Sequence, residues 1–302
     1  MAPLGTVQNP DVGIQPAKFR LPPTSHVGRV RLAVSDLAKS IAFYTEVIGL
    51  VVLNQSDPLA QLGVTGCSQV LLELEQVPGV QPIDRRTRLG LYHSAFLLPN
   101  RESLSSFVAH LVDQGIYFGS GDHLYSEAIY LVDPDGLSVE VYADRARDQW
   151  IYEGREIVSA TNPIDFEGLL AVSHKQWKGA PAGTVIGHIH LYVGDLDHAA
   201  GFYQATLGFD IVTWRYPGAL FMSAGGYHHD VAVNVWAAGS PPASPSDARL
   251  LFWELVLPNA DARARAEQSL VAAGYKSTPV ATGDPGYTDP WGIQVSLTLE
   301  HA

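Results

Sequence analysis

The chain has 302 residues, with 31 Asp and Glu against 19 Lys and Arg, a formal charge of -12 and a single cysteine, Cys67. An acidic balance with no Lys/Arg run to neutralise phosphates argues against a nucleic-acid or anionic-membrane surface. One thiol cannot close an internal disulfide, and no apolar run approaches the roughly 18 residues of a membrane span. With no charged-then-apolar signal segment, the chain reads as cytoplasmic, with two ordinary-sized domains and a small molecule or another subunit as partner.

Residues 1–25 are rich in Pro and Gly, lack periodicity and are expected to form an arm over the surface or a disordered tail. Residues 29–34 alternate as a strand. Ser35-Asp36 then caps a helix whose apolar residues Leu37, Ile41, Tyr44 and Val47 recur at helical spacing, and Gly49 stops it. Strands are expected at 51–53 and 69–74. A second unit starts at Leu89, with a strand at 91–98, a helix at 101–114 ending at Gly115, a strand at 128–132, the turn Asp133-Pro134-Asp135-Gly136 and a strand at 137–142. Residues from about 145 to 184 break the pattern and read as an interdomain connection with a short helix near 166–173. Third and fourth units run from 187 to 236 and from 250 to 299. The expected fold class is α+β: four βαβββ modules in two repeated domains, 26–145 and 185–302, with the arm 1–25 and the connection 146–184.

The second half repeats the first. VGRVRLAVSDLAKSIAFYTEVIGL, from Val27, returns 159 residues later as IGHIHLYVGDLDHAAGFYQATLGF, from Ile186. Gly28, Asp36, Phe43, Tyr44 and Gly49 fall on Gly187, Asp195, Phe202, Tyr203 and Gly208, and DPDG from Asp133 falls on DPWG from Asp289. Such self-similarity marks a duplication. The positions where the halves differ therefore point to function: Arg29 stands opposite His188, His93 opposite Phe252, and Glu140 opposite Ser296.

Four βαβββ units with GH-x-H-L at a strand start, FY-x-x-x-LG closing the helix and DP-x-G before a final strand resemble the vicinal oxygen chelate superfamily, the glyoxalase/bleomycin resistance/extradiol dioxygenase fold. The chain from about 25 to 300 is similar to its two-domain, CatE-like catechol 2,3-dioxygenases, especially in GDHLYSEAIYLVDPDGLSVEVYADR. The resemblance implies cup-shaped mixed sheets made by paired units. It also implies metal ligands at a His opening the first strand of one unit and at a His and a Glu of its partner. Those places hold Arg29 in unit one, His93 and Glu140 in unit two, His188 in unit three, and Phe252 and Ser296 in unit four. Pairing in chain order completes no set. Pairing unit two with unit three assembles His93, Glu140 and His188, a two-His, one-carboxylate set with positions open for a bidentate diol and dioxygen on Fe(II), Mn(II) being the alternative metal.

The same resemblance places His229, in Tyr227-His228-His229-Asp230-Val231, on the family's acid/base histidine. His228 is the competing assignment, since alternation is expected to turn only one of the two toward the cup. His123 and Tyr130 resemble residues that hold the substrate oxygen, with a spacing two residues tighter than the family's. His190 is expected on the face opposite His188, in a structural role. Gly225-Gly226 and Gly119-Ser120-Gly121 read as tight turns rather than phosphate cradles. Trp236, Trp253, Trp291 and Phe252 are expected to fill the cup that has no metal, with Arg29 pairing a carboxylate there, Glu73 by strand position. The implied activity is extradiol cleavage of a catechol-type aromatic diol with O2. The alternatives are a non-oxidative metal-dependent lyase or isomerase, and a metal-free protein that binds an aromatic compound; a homo-oligomer is compatible with all three.

Overall fold

The alternating strands that open the four units find their partners across the duplication. In the computed structural model, which describes residues 12–300, His26–Val34 pairs antiparallel with Arg249–Leu257, and Gly90–Leu97 pairs antiparallel with Val185–Tyr192. Unit one therefore shares a sheet with unit four, and unit two with unit three. Each sheet has eight strands. In the sheet of units two and three the order is Asp210–Thr213, Ala219–Ser223, Val231–Asn234, Val185–Tyr192, Gly90–Leu97, Ser138–Asp144, Ser126–Val132 and Gly119–Asp122. The sheet of units one and four runs Thr278–Pro279, Pro285–Thr288, Gln294–Leu299, Arg249–Leu257, His26–Val34, Leu72–Gln76, Leu59–Gly63 and Val51–Ser56. Parallel and antiparallel neighbours are mixed in both, giving the α+β glyoxalase-type fold with repeated domains.

Each unit's helix begins at a side-chain cap. Asp36, Asn100, Asp195 and Asn259 accept from the backbone N–H groups of Lys39, Ser103, His198 and Ala262, satisfying donors that a helix start leaves free. In units one and three the helix widens into π-helical turns, Phe43–Val47 and Gly201–Thr206. These end at Gly49 and Gly208, whose φ of +84° and +98° only glycine adopts without strain. The FY and DP motifs meet at this layer: the Tyr44 hydroxyl donates to Asp133 Oδ2 at 3.2 Å, and Tyr203 donates to Asp289 Oδ2 at 2.8 Å. Units adjacent in sequence are thus latched through helix and turn, while sheet partners come from opposite halves. One apolar cluster draws on both sheets and the helix of each of the four units, through residues such as Leu37, Phe107, Ala199 and Leu270. Burying side chains of the Leu or Phe kind is worth about 1.5–3 kcal/mol each.

Three expectations change. Gly119–Asp122, read as a turn, is an edge strand against Ser126–Val132, and its two glycines hid the pattern. The connection holds a small hairpin, Tyr152–Glu153 with Glu156–Ile157, and a helix only from Phe166 to Leu170. From residue 12 the N-terminal arm lies on unit three, where Ile14 bridges Ile211, Arg20 pairs with Asp210 at 2.6 Å and Leu21 is buried; the expectation for residues 1–11 falls outside the described residues. No helix among the described residues is long and apolar enough to cross a membrane.

Candidate active site

The register of the sheet of units two and three puts the candidate ligands together. Ala95, on the central strand, lies directly across from His188 on one side and Glu140 on the other. His93 stands two residues before Ala95 on the same strand. Directly opposed residues, and residues two apart, share one face of a sheet, so all three side chains converge over the small Ala95. His93 Nε2 lies 3.0 Å from Glu140 Oε2, His188 Nε2 lies 3.5 Å from the same oxygen, and the two Nε2 atoms are 3.3 Å apart. Adjacent positions around a cation with bonds of about 2.1 Å are about 3 Å apart, so one divalent ion fits this triangle. His93, Glu140 and His188 form the group among the described residues whose donor atoms all lie within 4.8 Å of one another. All three are buried. Burial holds His188 down at about 4. Burial opposes the charge of Glu140, but the charges of and hydrogen bonds from His188 and His93 outweigh it and hold the carboxyl well below its usual range. A neutral imidazole and an ionised carboxylate are the forms that ligate metal.

Beside this triangle is a cavity of about 100 Å³ lined by His93, Glu140, His123, Tyr130, His229 and His190 and walled by Tyr92, Tyr216, Phe221 and Trp236. A larger open depression of about 280 Å³, around Leu89, Arg249 and Trp291, shares none of these residues and holds no comparable donor set. His229 packs on His188 with ring centroids 4.0 Å apart. Burial pushes its imidazole well below the usual range, which favours the neutral, proton-accepting form. His228 lies behind it, stacked on Tyr125 at 4.3 Å. The two are not alternating strand residues: the segment before Val231–Asn234 is bent, and their Nδ1 atoms meet at 2.8 Å.

His123 and Tyr130 come together despite their tight spacing. Leu124 takes a positive φ of 74°, and His123 Nε2 reaches the Tyr130 hydroxyl at 2.6 Å. His123 Nδ1 faces the Ala160 carbonyl at 2.7 Å and must donate to it, so in the neutral ring Nε2 accepts from Tyr130. Burial, then the Glu140 charge, raises the Tyr130 phenol well above its usual value, keeping it protonated.

His190 corrects the expectation made for it. Residues two apart on a strand point the same way, and His190 lines the cavity beside His93, with ring centroids 4.9 Å apart. It is not a fourth ligand of the triangle. Asn234 Oδ1 accepts from the Trp236 backbone N–H, so its Nδ2 donates to His190 Nε2 at 2.9 Å and occupies that lone pair. The spacing in GHIH was the signal for this placement. Trp236 likewise walls the candidate site rather than the other cup, because unit three belongs to this sheet. Trp253 is fully buried in the shared core, and Trp291 borders the larger depression.

The model of the Glyoxalase/Bleomycin resistance protein/Dioxygenase superfamily matches residues 26–141 and 185–297. A catechol-2,3-dioxygenase from Bacillus subtilis (strain 168) is 44% identical over 257 residues, spanning 83% of this chain and 89% of that protein. Among solved structures, a protein of Bacillus subtilis subsp. subtilis str. 168 superposes with a TM-score of 0.63 over 94% of this chain and 87% of its own at 12% identity. Glyoxalase I from Zea mays does so with a TM-score of 0.55 over 91% and 92% at 18% identity, and both share the fold. From the family match over both halves and the 44% identity to a relative covered almost end to end, the chain belongs to the glyoxalase/bleomycin resistance protein/dioxygenase superfamily.

Proposed function

We propose that this protein is a cytoplasmic, Fe(II)-dependent extradiol dioxygenase that opens the ring of a catechol-type diol with O2. The observation that carries the reading is the meeting of two imidazoles and one carboxylate at the edge of an aromatic-walled cavity that also holds three proton-handling side chains. His93, His188 and Glu140 would hold the metal. When bound, it supplies a Lewis-acidic centre with open positions for the diol and dioxygen.

The protein's own groups do the rest. His229, neutral in its buried setting, takes the proton of the diol's second hydroxyl. Tyr130, whose single proton goes to His123, turns its hydroxyl lone pairs toward the diol and accepts a hydrogen bond from it. Tyr92, Phe221 and Trp236 wall the ring and keep water from the reacting carbons. Both oxygen atoms of O2 end in a ring-opened, yellow hydroxy-semialdehyde. The Bacillus subtilis relative, by its name a catechol-2,3-dioxygenase, supports the substrate class.

The test is anaerobic purification, metal analysis and an oxygen electrode with a panel of catechols. Oxygen uptake equimolar with diol, with the yellow product appearing, is the expected result. Iron-replete protein that consumes no oxygen with any catechol, yet converts a hemithioacetal or an epoxide, would replace this reading by a non-oxidative one. Activity greater with Mn(II) than with Fe(II) would reassign the metal alone.

A further inference from the structure

Behind the cavity, His229 is joined to residues that the ligand set and its proton-handling partners leave unused. His228 Nε2 faces Asp144 Oδ1 at 2.9 Å, and Asp144 Oδ2 accepts from the Tyr227 hydroxyl at 2.9 Å. On its other side, His228 Nδ1 lies 2.8 Å from His229 Nδ1. His228 has no exposed surface, and its ring is held flat against Tyr125, with an interplanar angle of 13°. It cannot swing away from either partner without opening the core.

We propose that Asp144 and His228 are positioning residues that fix the tautomer and ring plane of His229; this rests on the reading of His229 as the proton acceptor. A carboxylate only accepts, so His228 presents Nε2–H to Asp144. In the neutral ring its Nδ1 is then a bare lone pair. Two Nδ1 atoms at 2.8 Å need one proton between them, so His229 supplies Nδ1–H and its Nε2 is left bare. The hydrogen-bond chain thus delivers an accepting nitrogen rather than a donating one, without any ligand present. When His229 takes the diol proton on Nε2, the resulting imidazolium keeps its Nδ1–H bond to His228, whose own bond to Asp144 turns the negative charge toward the pair. The arrangement has the logic of a carboxylate that orients a catalytic histidine, here with a second imidazole interposed.

Histidine tautomers are read directly by long-range proton–nitrogen NMR on ¹⁵N-histidine-labelled protein, with Zn(II) as the diamagnetic ion. The wild-type protein should show His229 protonated at Nδ1 and bare at Nε2. His228→Leu should scramble that tautomer and, in iron-loaded enzyme, lower kcat about 10–100-fold with KM changed less than about threefold. His228→Asn, whose amide oxygen falls near the Nδ1 position, should restore the tautomer and most of kcat. Asp144→Asn keeps the stack on Tyr125, so it serves if the leucine variant does not fold; its amide can donate to His228 Nε2, and it should raise the fraction of His229 carrying Nε2–H.

A wild-type His229 protonated at Nε2 would overturn the positioning role, as would an unchanged kcat in both His228→Leu and Asp144→Asn. His229→Ala separates the two levels. If that variant keeps turnover, the proton-acceptor reading itself falls; if it loses turnover while the His228 and Asp144 variants do not, only the positioning inference fails.

Discussion

The two sheets are built from the same repeat, yet one cup assembles metal donors and the other supplies its own cation. Arg29 stands where the first has His188, and its guanidinium binds Glu73 at 2.9 Å and Glu254 at 2.6 Å. Glu254 occupies the place of Ala95, the small residue over which the candidate ligands converge, and Ser296 occupies that of Glu140. Arg31, in the place of His190, reaches Glu75 at 2.8 Å and lies over the Phe252 ring at 6.0 Å. The expected pairing of Arg29 with Glu73 is present, with Glu254 as a second partner. Even the shared glycine serves each cup differently: a Cβ on Gly28 would sit 2.9 Å from Glu254 Oε2, and one on Gly187 would run into the Tyr142 hydroxyl. On one repeated scaffold, a few different side chains make the cup of units one and four an internal ion cluster in which Arg29 and Arg31 meet Glu73, Glu75 and Glu254. A buried charge must find an opposite charge; one cup meets that condition with protein alone, whereas the other leaves a carboxylate and two imidazoles to meet it with an ion.

The strongest way to break this contrast is to remove the anion from the candidate metal cup. Glu140→Gln should lower metal affinity by at least about 100-fold, the upper range seen when even the partners of ligands are lost, and abolish ring cleavage. Stoichiometric metal in that variant, by elemental analysis after dialysis, would mean that the ion sits elsewhere. His229→Ala should have the next largest effect: turnover falls about 10²–10⁴-fold, as for loss of a positioned base, while bound iron stays near one per chain. Metal loss in that variant would make His229 a ligand and dissolve the separation between holding the ion and moving the proton.

The third test acts on the other cup. Arg29→Leu leaves the buried Glu254 without its cation and the buried Glu73 with only the longer, 3.4 Å contact to Arg31. Burial raises the Glu254 carboxyl even with Arg29 beside it. Breaking a buried pair from one side costs about 3–5 kcal/mol, so thermal unfolding should come roughly 10 °C earlier, with metal stoichiometry and turnover per folded molecule unchanged. A stable variant that has lost its metal would show that the cups are coupled.

Most of this architecture was legible because the duplication repeats its caps, its FY turns and its DP loops, each carrying a local physical signal. The crossed pairing of units followed from counting ligands, although the register that makes it work, with Ala95 between His188 and Glu140, depends on strand alignment that no single segment encodes. Two expectations are overturned and a third holds for a different reason. His190 lies on the same face as His188, because a spacing of two returns a side chain to the same face. Trp236 follows its sheet rather than its half of the chain. Only His229 of the adjacent pair lines the cavity, but the bend before Val231, not strand alternation, separates the two and lets their rings bond. Gly119–Asp122 shows the remaining limit: an edge strand with two glycines carries too little side-chain pattern to announce itself.

What the halves kept in common can be separated from what they changed by titrating the latch present in both. Asp133 Oδ1 accepts from the backbone N–H groups of Asp135 and Leu137, and Asp289 Oδ1 from those of Trp291 and Ile293; each Oδ2 takes a tyrosine hydroxyl. Burial dominates these bonds and pushes Asp133 up to about 7 and Asp289 up to about 6. Both values lie above the roughly 3.9 of an unfolded Asp, so the folded state holds each proton more tightly. The resulting stability is complete below about pH 4 and is lost as pH rises to about 6 for Asp289 and about 7 for Asp133. Between about pH 6 and 7.5 the loss due to Asp133 comes to about 1 kcal/mol, the smallest effect in the series. Urea unfolding of the metal-free protein should show the decline as a falling midpoint. Asp133→Asn keeps the Oδ1 acceptor but cannot titrate, so it should flatten the upper part of the slope, and Asp289→Asn the part ending near pH 6. A wild-type slope surviving in Asp133→Asn would place the titration elsewhere and leave the latch a fixed, ionised bond in both halves.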